Sequence, residues 1–411
     1  MKISSWCSSI LFVLWLLAIY AAPMKVGPLF FVLFAISAAL PLLPVSLRHL
    51  FAQRGQRAWY GILVYLIYVI VIYAVKGGDD DVALRLLIDI SLFLLATTYF
   101  AFISLDHDCE GIRNIISYGL LLALCFSCCQ TLYSVAAGNL WLLPLHVKNS
   151  VDAYAIETSA TIVFGDHNKN IWASKTLFTY LAFFAIRNER WKNLDYAALT
   201  VFLVALAYLC SRTAQLAFIC GAVAYALYRL RPRLNVTAKI ALAICLIAAG
   251  FAVLHLMRLT TVSSIDLTEG AHGDGLFARF FLWGYFFSWL PTFHLSELWF
   301  GHGVFAVASF LNPPFTETNL HNVFLDQVYD YGIVGCLLYS SFLVFVFRTL
   351  SPRWRWLILP ALLVVLNSQY LGHEPELLSL YAFSALFAKS SPASARSTIR
   401  PTMHGSLSGA H

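Results

Sequence analysis

Apolar residues in this chain come in long unbroken runs rather than in the spaced patterns of water-soluble helices and strands. Twelve runs stand out, near 5–22, 27–45, 58–75, 82–105, 112–137, 171–187, 194–210, 213–230, 239–257, 321–347, 354–371 and 376–388. Most approach the roughly 20 residues that a helix needs to cross the hydrocarbon of a bilayer. The short alternating segments of a membrane barrel do not occur. The pattern predicts an all-α polytopic membrane protein with about twelve transmembrane helices, forming a single integral membrane domain over 1–388. The first run follows Met1 and Lys2 and lacks a small-residue cleavage site, so it is expected to remain as a signal anchor. Residues 389–411, rich in Ser, Ala and Pro, are expected to form a disordered cytoplasmic tail.

Composition agrees. The 411 residues are 60% hydrophobic and 12% charged, with a mean hydropathy of +0.74. A soluble domain carries about twice that charged fraction. Too few charges remain to cover a water-facing surface, so lipid must be the main solvent. The nine cysteines fall mostly inside apolar runs (Cys125, Cys128, Cys129, Cys220, Cys245, Cys336) and show no metal-binding spacing. They read as small apolar fillers.

The net charge of +6 points to no acidic partner, and nucleic acid is not expected, because the charge is sorted by topology. Arg48, Arg54, Arg57, Arg113, Arg187, Arg190, Lys192, Arg229, Arg231, Arg233, Lys239, Arg348, Arg353, Arg355 and the basic tail all belong to one side. With Lys2 they make up two thirds of the 27 basic residues. The positive-inside rule therefore predicts both termini in the cytoplasm. Two connections on the other side are long, 138–170 and 258–320, and long connections usually carry function. Within the second lies Phe277–Leu290, apolar apart from Arg279, which suits a helix lying in the interface or a re-entrant segment.

Candidate chemistry gathers on that outer side. His321-Asn322 is followed, after nine residues, by Gly332-Ile333-Val334-Gly335. Thr318 or Asn319 is expected to cap the tenth helix, with His321 in its first turn at the membrane boundary. An imidazole titrates near neutral pH and can take a proton from a sugar hydroxyl. Asn322, Asp326 and Asp330 follow at helical spacing on one face, where carboxylates need a polar cavity or a partner. The two glycines are expected to let a neighbouring helix pack closely. The plain alternative is an interfacial histidine with packing glycines. Ser211-Arg212-Thr213 puts an arginine in a tight outer turn, against the charge bias, either as a phosphate ligand or as a headgroup anchor. Arg279 carries the same two readings, whereas Arg258 is nearer a span end and snorkels.

Smaller features complete the list. Lys169, in Asp166-His167-Asn168-Lys169-Asn170, can meet a phosphate or sit in a polar turn. Arg85 and Asp89, one turn apart, are expected to pair. Gly372-His373-Glu374-Pro375-Glu376 either lines the site or is solvated, and Gly270–Gly275, with His272 and Asp274, suits a mobile loop.

The His321-Asn322…Gly332-x-x-Gly335 pattern resembles the signature of the O-antigen ligases, in the O-antigen ligase/polymerase superfamily, and every fixed position matches. The Ser211-Arg212 pair and Arg279 match two further features of that family. The resemblance implies a GT-C-like helical membrane fold whose large periplasmic loop contains short helices. It also implies a glycosyltransferase of the inner membrane. The donor would be an O-antigen polysaccharide on undecaprenyl pyrophosphate and the acceptor a hydroxyl of lipid A-core. His321 would be the general base, Arg212 and Arg279 would bind the pyrophosphate, and Asn322, Asp326 and Lys169 would support them. No cofactor is implied. The first outer loop carries no Asp-x-Asp motif, so metal-independent chemistry is expected, with no metal ligands. An O-antigen polymerase or a protein O-oligosaccharyltransferase of the same superfamily is the alternative. A transporter or flippase is a more distant one, disfavoured by the absence of detectable inverted repeats.

Overall fold

The computed structural model describes residues 56–103, 109–136, 169–187, 192–209, 211–230, 275–312, 318–350 and 352–367, with isolated positions in 7–33, at 237 and 241, and at 380–381. Among them the chain is almost entirely helical. In chain order the helices are α1 (Gln56–Lys76), α2 (Asp80–Ile103), α3 (Cys109–Ala136), α4 (Lys169–Ile186), α5 (Lys192–Leu209) and α6 (Arg212–Leu230). There follow α7 (Gly275–Trp289), a 3-10 turn (Leu290–Thr292), α8 (Leu295–Phe300), α9 (Ala306–Leu311), α10 (Val323–Thr349) and α11 (Pro352–Leu366). Eight of the twelve expected spans thus fall on helices. The runs at 27–45 and 239–257 lie essentially outside the described residues, as do most of 5–22 and of 376–388.

Four stretches are long and apolar enough to cross a membrane: Asp80–Tyr99, Glu110–Tyr133, Thr213–Leu230 and Val323–Arg348. Tyr60–Lys76, Asn193–Leu209 and Trp354–Leu366 are shorter apolar helices. The outward faces are apolar as well, with Val64, Ile67, Ile70 and Val71 on α1 and Leu84, Leu87 and Ile88 on α2 all exposed. Contiguous exposed apolar faces of this kind are stable only against lipid. The protein is a membrane protein.

Lipid tails are as apolar as leucine, so they supply no hydrophobic drive between helices, and close packing and polar contacts must do that work. Gly221 brings α6 against the backbone of α11, where an added Cβ would lie 2.6 Å from the Leu357 carbonyl oxygen. Gly61 does the same for α1 against Phe342 and Phe345 of α10. Tyr180 of α4 stacks on Phe202 of α5 at 4.5 Å, and Phe184 meets Trp354 edge-on at 5.5 Å.

Contacts fix which helix ends lie together. Arg113, near the start of α3, donates to the carbonyls of Ile186 and Arg187 at the close of α4. Arg187 in turn pairs with Asp195 at the start of α5. At the opposite end of the bundle, the α1–α2 turn at Gly77–Asp79 exchanges backbone hydrogen bonds with Val304 of the α8–α9 connection. One end therefore gathers Lys76–Asp80, the start of α4, the α5–α6 turn, the helices α7–α9, the start of α10 and the close of α11. We refer to it as the loop end.

Candidate functional site

The site at the loop end is built on a broken helix. Within α10, Gly332 has φ 70° and ψ −176°, a conformation open in practice only to glycine. The break frees the preceding carbonyls from helical bonding, and in a membrane each must find another partner. Backbone N–H groups of the α8–α9 loop supply two. His302 donates to Tyr329 O and Gly303 to Asp330 O, each at 3.0 Å. Tyr68 Oη donates to Tyr331 O at 2.7 Å. The loop is held from the other side by Lys76 Nζ, which donates to Gly301 O at 2.6 Å. Gly301 also has a positive φ of 71° and lies so close to Asp330 that no Cβ fits between them.

Two buried carboxylates of α10 reach the same loop region. Asp330 accepts from the Val307 N–H at 2.9 Å, at the start of α9, and Asp326 accepts from the Leu320 N–H at 2.8 Å. The segment between Val307 and Leu320 is thereby pinned at both ends to one face of α10. Of the three residues expected on one face, Asp326 and Asp330 both turn to this loop region, whereas Asn322 is the N-cap and lies outside the helix. The two carboxylates receive backbone donors there. Beneath them, Tyr65 of α1 donates to Gln327 Oε1 at 2.8 Å, both groups being buried.

His321 sits at the mouth of this assembly. It is not in the first helical turn, contrary to the sequence expectation. Asn322 is the N-cap, its Oδ1 accepting from Phe324 and Leu325, and His321 precedes it with φ 52°. Neither Thr318 nor Asn319 caps the helix. Asn319 Oδ1 accepts from the His321 N–H at 2.9 Å instead. A side chain in the left-handed region costs energy and persists only where its surroundings over-determine it. Here Asn319 holds the His321 N–H, Asp326 holds Leu320 N–H, and Trp283 Nε1 holds Leu320 O at 2.8 Å. The imidazole is half-buried.

The expected arginines come from two other elements. Arg279 is half-buried in α7, one turn before Trp283, so the helix that carries it is tied directly to the residue before His321. Arg212 is the first residue of α6. Buried Ser211 precedes it and accepts the Gln215 N–H through its carbonyl at 3.0 Å. A helix N-terminus favours anions, which adds to the arginine's own charge. Lys169 opens α4 at the same end of the bundle. The Arg85–Asp89 pair is present at 3.9 Å. Residues 166–168, 258, 270–274 and 372–376 lie outside the described residues.

Sequence reasoning missed Trp283, Asn367 and the loop contacts of Gly301–Val304. Their partners are far away in the chain, and the two glycines of Gly301-His302-Gly303 are the one local signal that could point to an unusual backbone there. On α8, Glu297 lies below the usual carboxylate range, chiefly because its carboxylate accepts the His294 N–H at 2.8 Å, with His302 and Lys76 nearby adding to the effect. Among the described residues, no group of three or more His, Cys, Asp or Glu is placed to hold a metal ion.

Residues 197–340 match the family model described as O-antigen ligase. The match begins in α5, includes Arg212, Arg279 and His321, and ends beyond the break in α10. It supports the resemblance to the O-antigen ligase/polymerase superfamily, whose members are glycosyltransferase-like enzymes acting in general on polysaccharide and lipid-linked substrates. No curated protein matches the chain.

Proposed function

We propose that the protein is an O-antigen ligase, transferring O-antigen polysaccharide from undecaprenyl pyrophosphate to a sugar hydroxyl of lipid A-core at the periplasmic face of the inner membrane. One observation carries the reading. The segment matching the O-antigen ligase family holds His321 in a strained, over-determined turn at the bundle end that also bears Arg212 and the Arg279 helix. Strain of this kind concentrates at functional sites.

The reaction would be a single displacement. The acceptor oxygen attacks the anomeric carbon, the bond from that carbon to the pyrophosphate oxygen breaks, and its electron pair leaves with the pyrophosphate. His321 takes the hydroxyl proton, and the anomeric configuration inverts. Arg212 and Arg279 stabilise the charge that develops on the leaving group, a preorganised electrostatic role suited to the planar guanidinium. Asn322, Asp326 and Lys169 support the site, the first two by holding the His321 turn. Metal-independent chemistry is part of the proposal.

His321→Ala is expected to abolish transfer in purified protein while expression and membrane insertion persist, and full activity would sink the assignment. A base of this kind contributes roughly 10²–10⁴-fold. Arg212→Lys is expected to fail too, because an ammonium cannot make the forked contact. Chelator in the same assay is expected to change nothing. The polymerase alternative is separated by deletion. Loss of a ligase leaves bare core and accumulated lipid-linked polymer, whereas loss of a polymerase leaves core bearing one repeat.

A further inference from the structure

The amide of Asn322 does two things. Its Oδ1 caps α10, and its Nδ2 donates to Asn367 Oδ1 at 3.1 Å, just past the end of α11. Asn367 is itself fixed, since its backbone N–H and its Nδ2 both donate to the Leu363 carbonyl, at 3.1 and 2.7 Å. The Asn322–Asn367 bond therefore joins the His321 turn to a rigid helix end.

That helix end has a defined level relative to Arg212. α11 packs antiparallel on α6, with Gly221 lying against Leu357 and Ala361. Moving toward the loop end from this crossing, at about 1.5 Å per residue, the same rise reaches Arg212 on α6 and Asn367 on α11. α6 is helical from its first residue, and α11 is helical through Leu366 with Pro360 inside it. By residue count, Asn367 thus lies at about the level of the start of α6, while it holds the cap residue that follows His321.

We propose that Asn367 is a positioning residue, setting the His321 turn in register with Arg212 through its bond to Asn322. The proposal rests on the roles proposed above for His321 and Arg212. Transfer between two bound amphiphiles depends on the base and the phosphate-binding cation being correctly spaced, and a misplacement of about 1 Å can cost roughly 100-fold. A single amide pair between two helices in lipid adds little to stability. The contact is thus better placed to set geometry than to hold the fold.

The test uses full-length protein in detergent with lipid-linked polysaccharide donor and core lipid A acceptor. Asn367→Leu removes the acceptor at similar volume and is expected to lower kcat roughly 10–100-fold with donor KM nearly unchanged. Asn367→Asp keeps an oxygen facing Asn322 and is expected to recover most of that loss. Asn322→Ser keeps a capping oxygen but loses the amide that reaches Asn367, and combining it with Asn367→Leu is expected to slow transfer no further than the slower single variant. Multiplying effects in the double variant would overturn the proposal. So would a lowered unfolding midpoint in Asn367→Leu with unchanged kcat for the folded protein. The base assignment fails separately, if His321→Ala remains active, because the cycle reads coupling between the two asparagines whatever group takes the proton.

Discussion

At the residue scale, the tenth span mixes chemistry with scaffolding in a way that hydropathy conceals. Asp326 and Asp330 look costly on an apolar helix, yet each receives a backbone donor from the preceding loop on one carboxylate oxygen. This gives Asp326 a measurable structural role. Asp326→Ala leaves the Leu320 N–H, on a fully buried residue, without its acceptor and is expected to destabilise the protein by about 1–3 kcal/mol. Asp326→Asn retains a side-chain oxygen and is expected to lose much less. Unfolding midpoints of the two variants in detergent check the contrast, and equal losses would show that charge, not the acceptor, matters. His321 is a candidate base by its motif, its place after a long outer connection and the resemblance to the ligases together. Its left-handed backbone was not legible in the sequence, because Asn319, Asp326 and Trp283 impose it together and Trp283 is distant in the chain.

Apolar runs gave the eight long helices to within about five residues, because runs this long have only one stable form in a bilayer. What they hid was the break inside α10. The Gly332-x-x-Gly335 stretch was expected to admit a neighbouring helix, and Gly335 does sit against Tyr68 of α1. Gly332 instead turns out of the helix and meets the close of α8, where an added Cβ would fall on Trp299 and Phe300 backbone atoms. Gly301 and Gly332 thus interlock, each filling the space beside the other's chain. Alanine at either position combines a forbidden φ with a backbone clash and is expected to lower stability by more than about 1–3 kcal/mol. Gly284, helical in α7 with nothing within 4 Å of an added Cβ, is the internal control. Gly284→Ala is expected to be neutral or to stabilise by up to about 1 kcal/mol. Thermal unfolding of the three variants side by side tests this, and a neutral Gly332→Ala would mean that the break is not built into the native helix.

For the whole molecule, the contacts that sort the helix ends also sort the charge. Among the described residues, Arg113, Arg187, Arg229, Arg348 and Arg355 lie at the end opposite the loops, and two of them donate to backbone carbonyls that close turns there. Among the described residues, the loop end holds the acids Asp79, Asp80 and Asp81, with Lys76 and the cations proposed for the site. By the positive-inside rule this sorting supports an orientation with the loops outward, the one that a sugar donor and acceptor facing the periplasm require. Asp79 and Arg348 are exposed at opposite ends of the bundle, so single cysteines there report orientation directly. A membrane-impermeant maleimide added to spheroplasts is expected to label Asp79→Cys. It is expected to reach Arg348→Cys only after the membrane is opened, with the unsubstituted protein as background for the native cysteines. The reverse pattern would put the His321 turn in the cytoplasm, away from lipid-linked polysaccharide displayed on the outer leaflet, and the ligase reaction would then have no donor within reach.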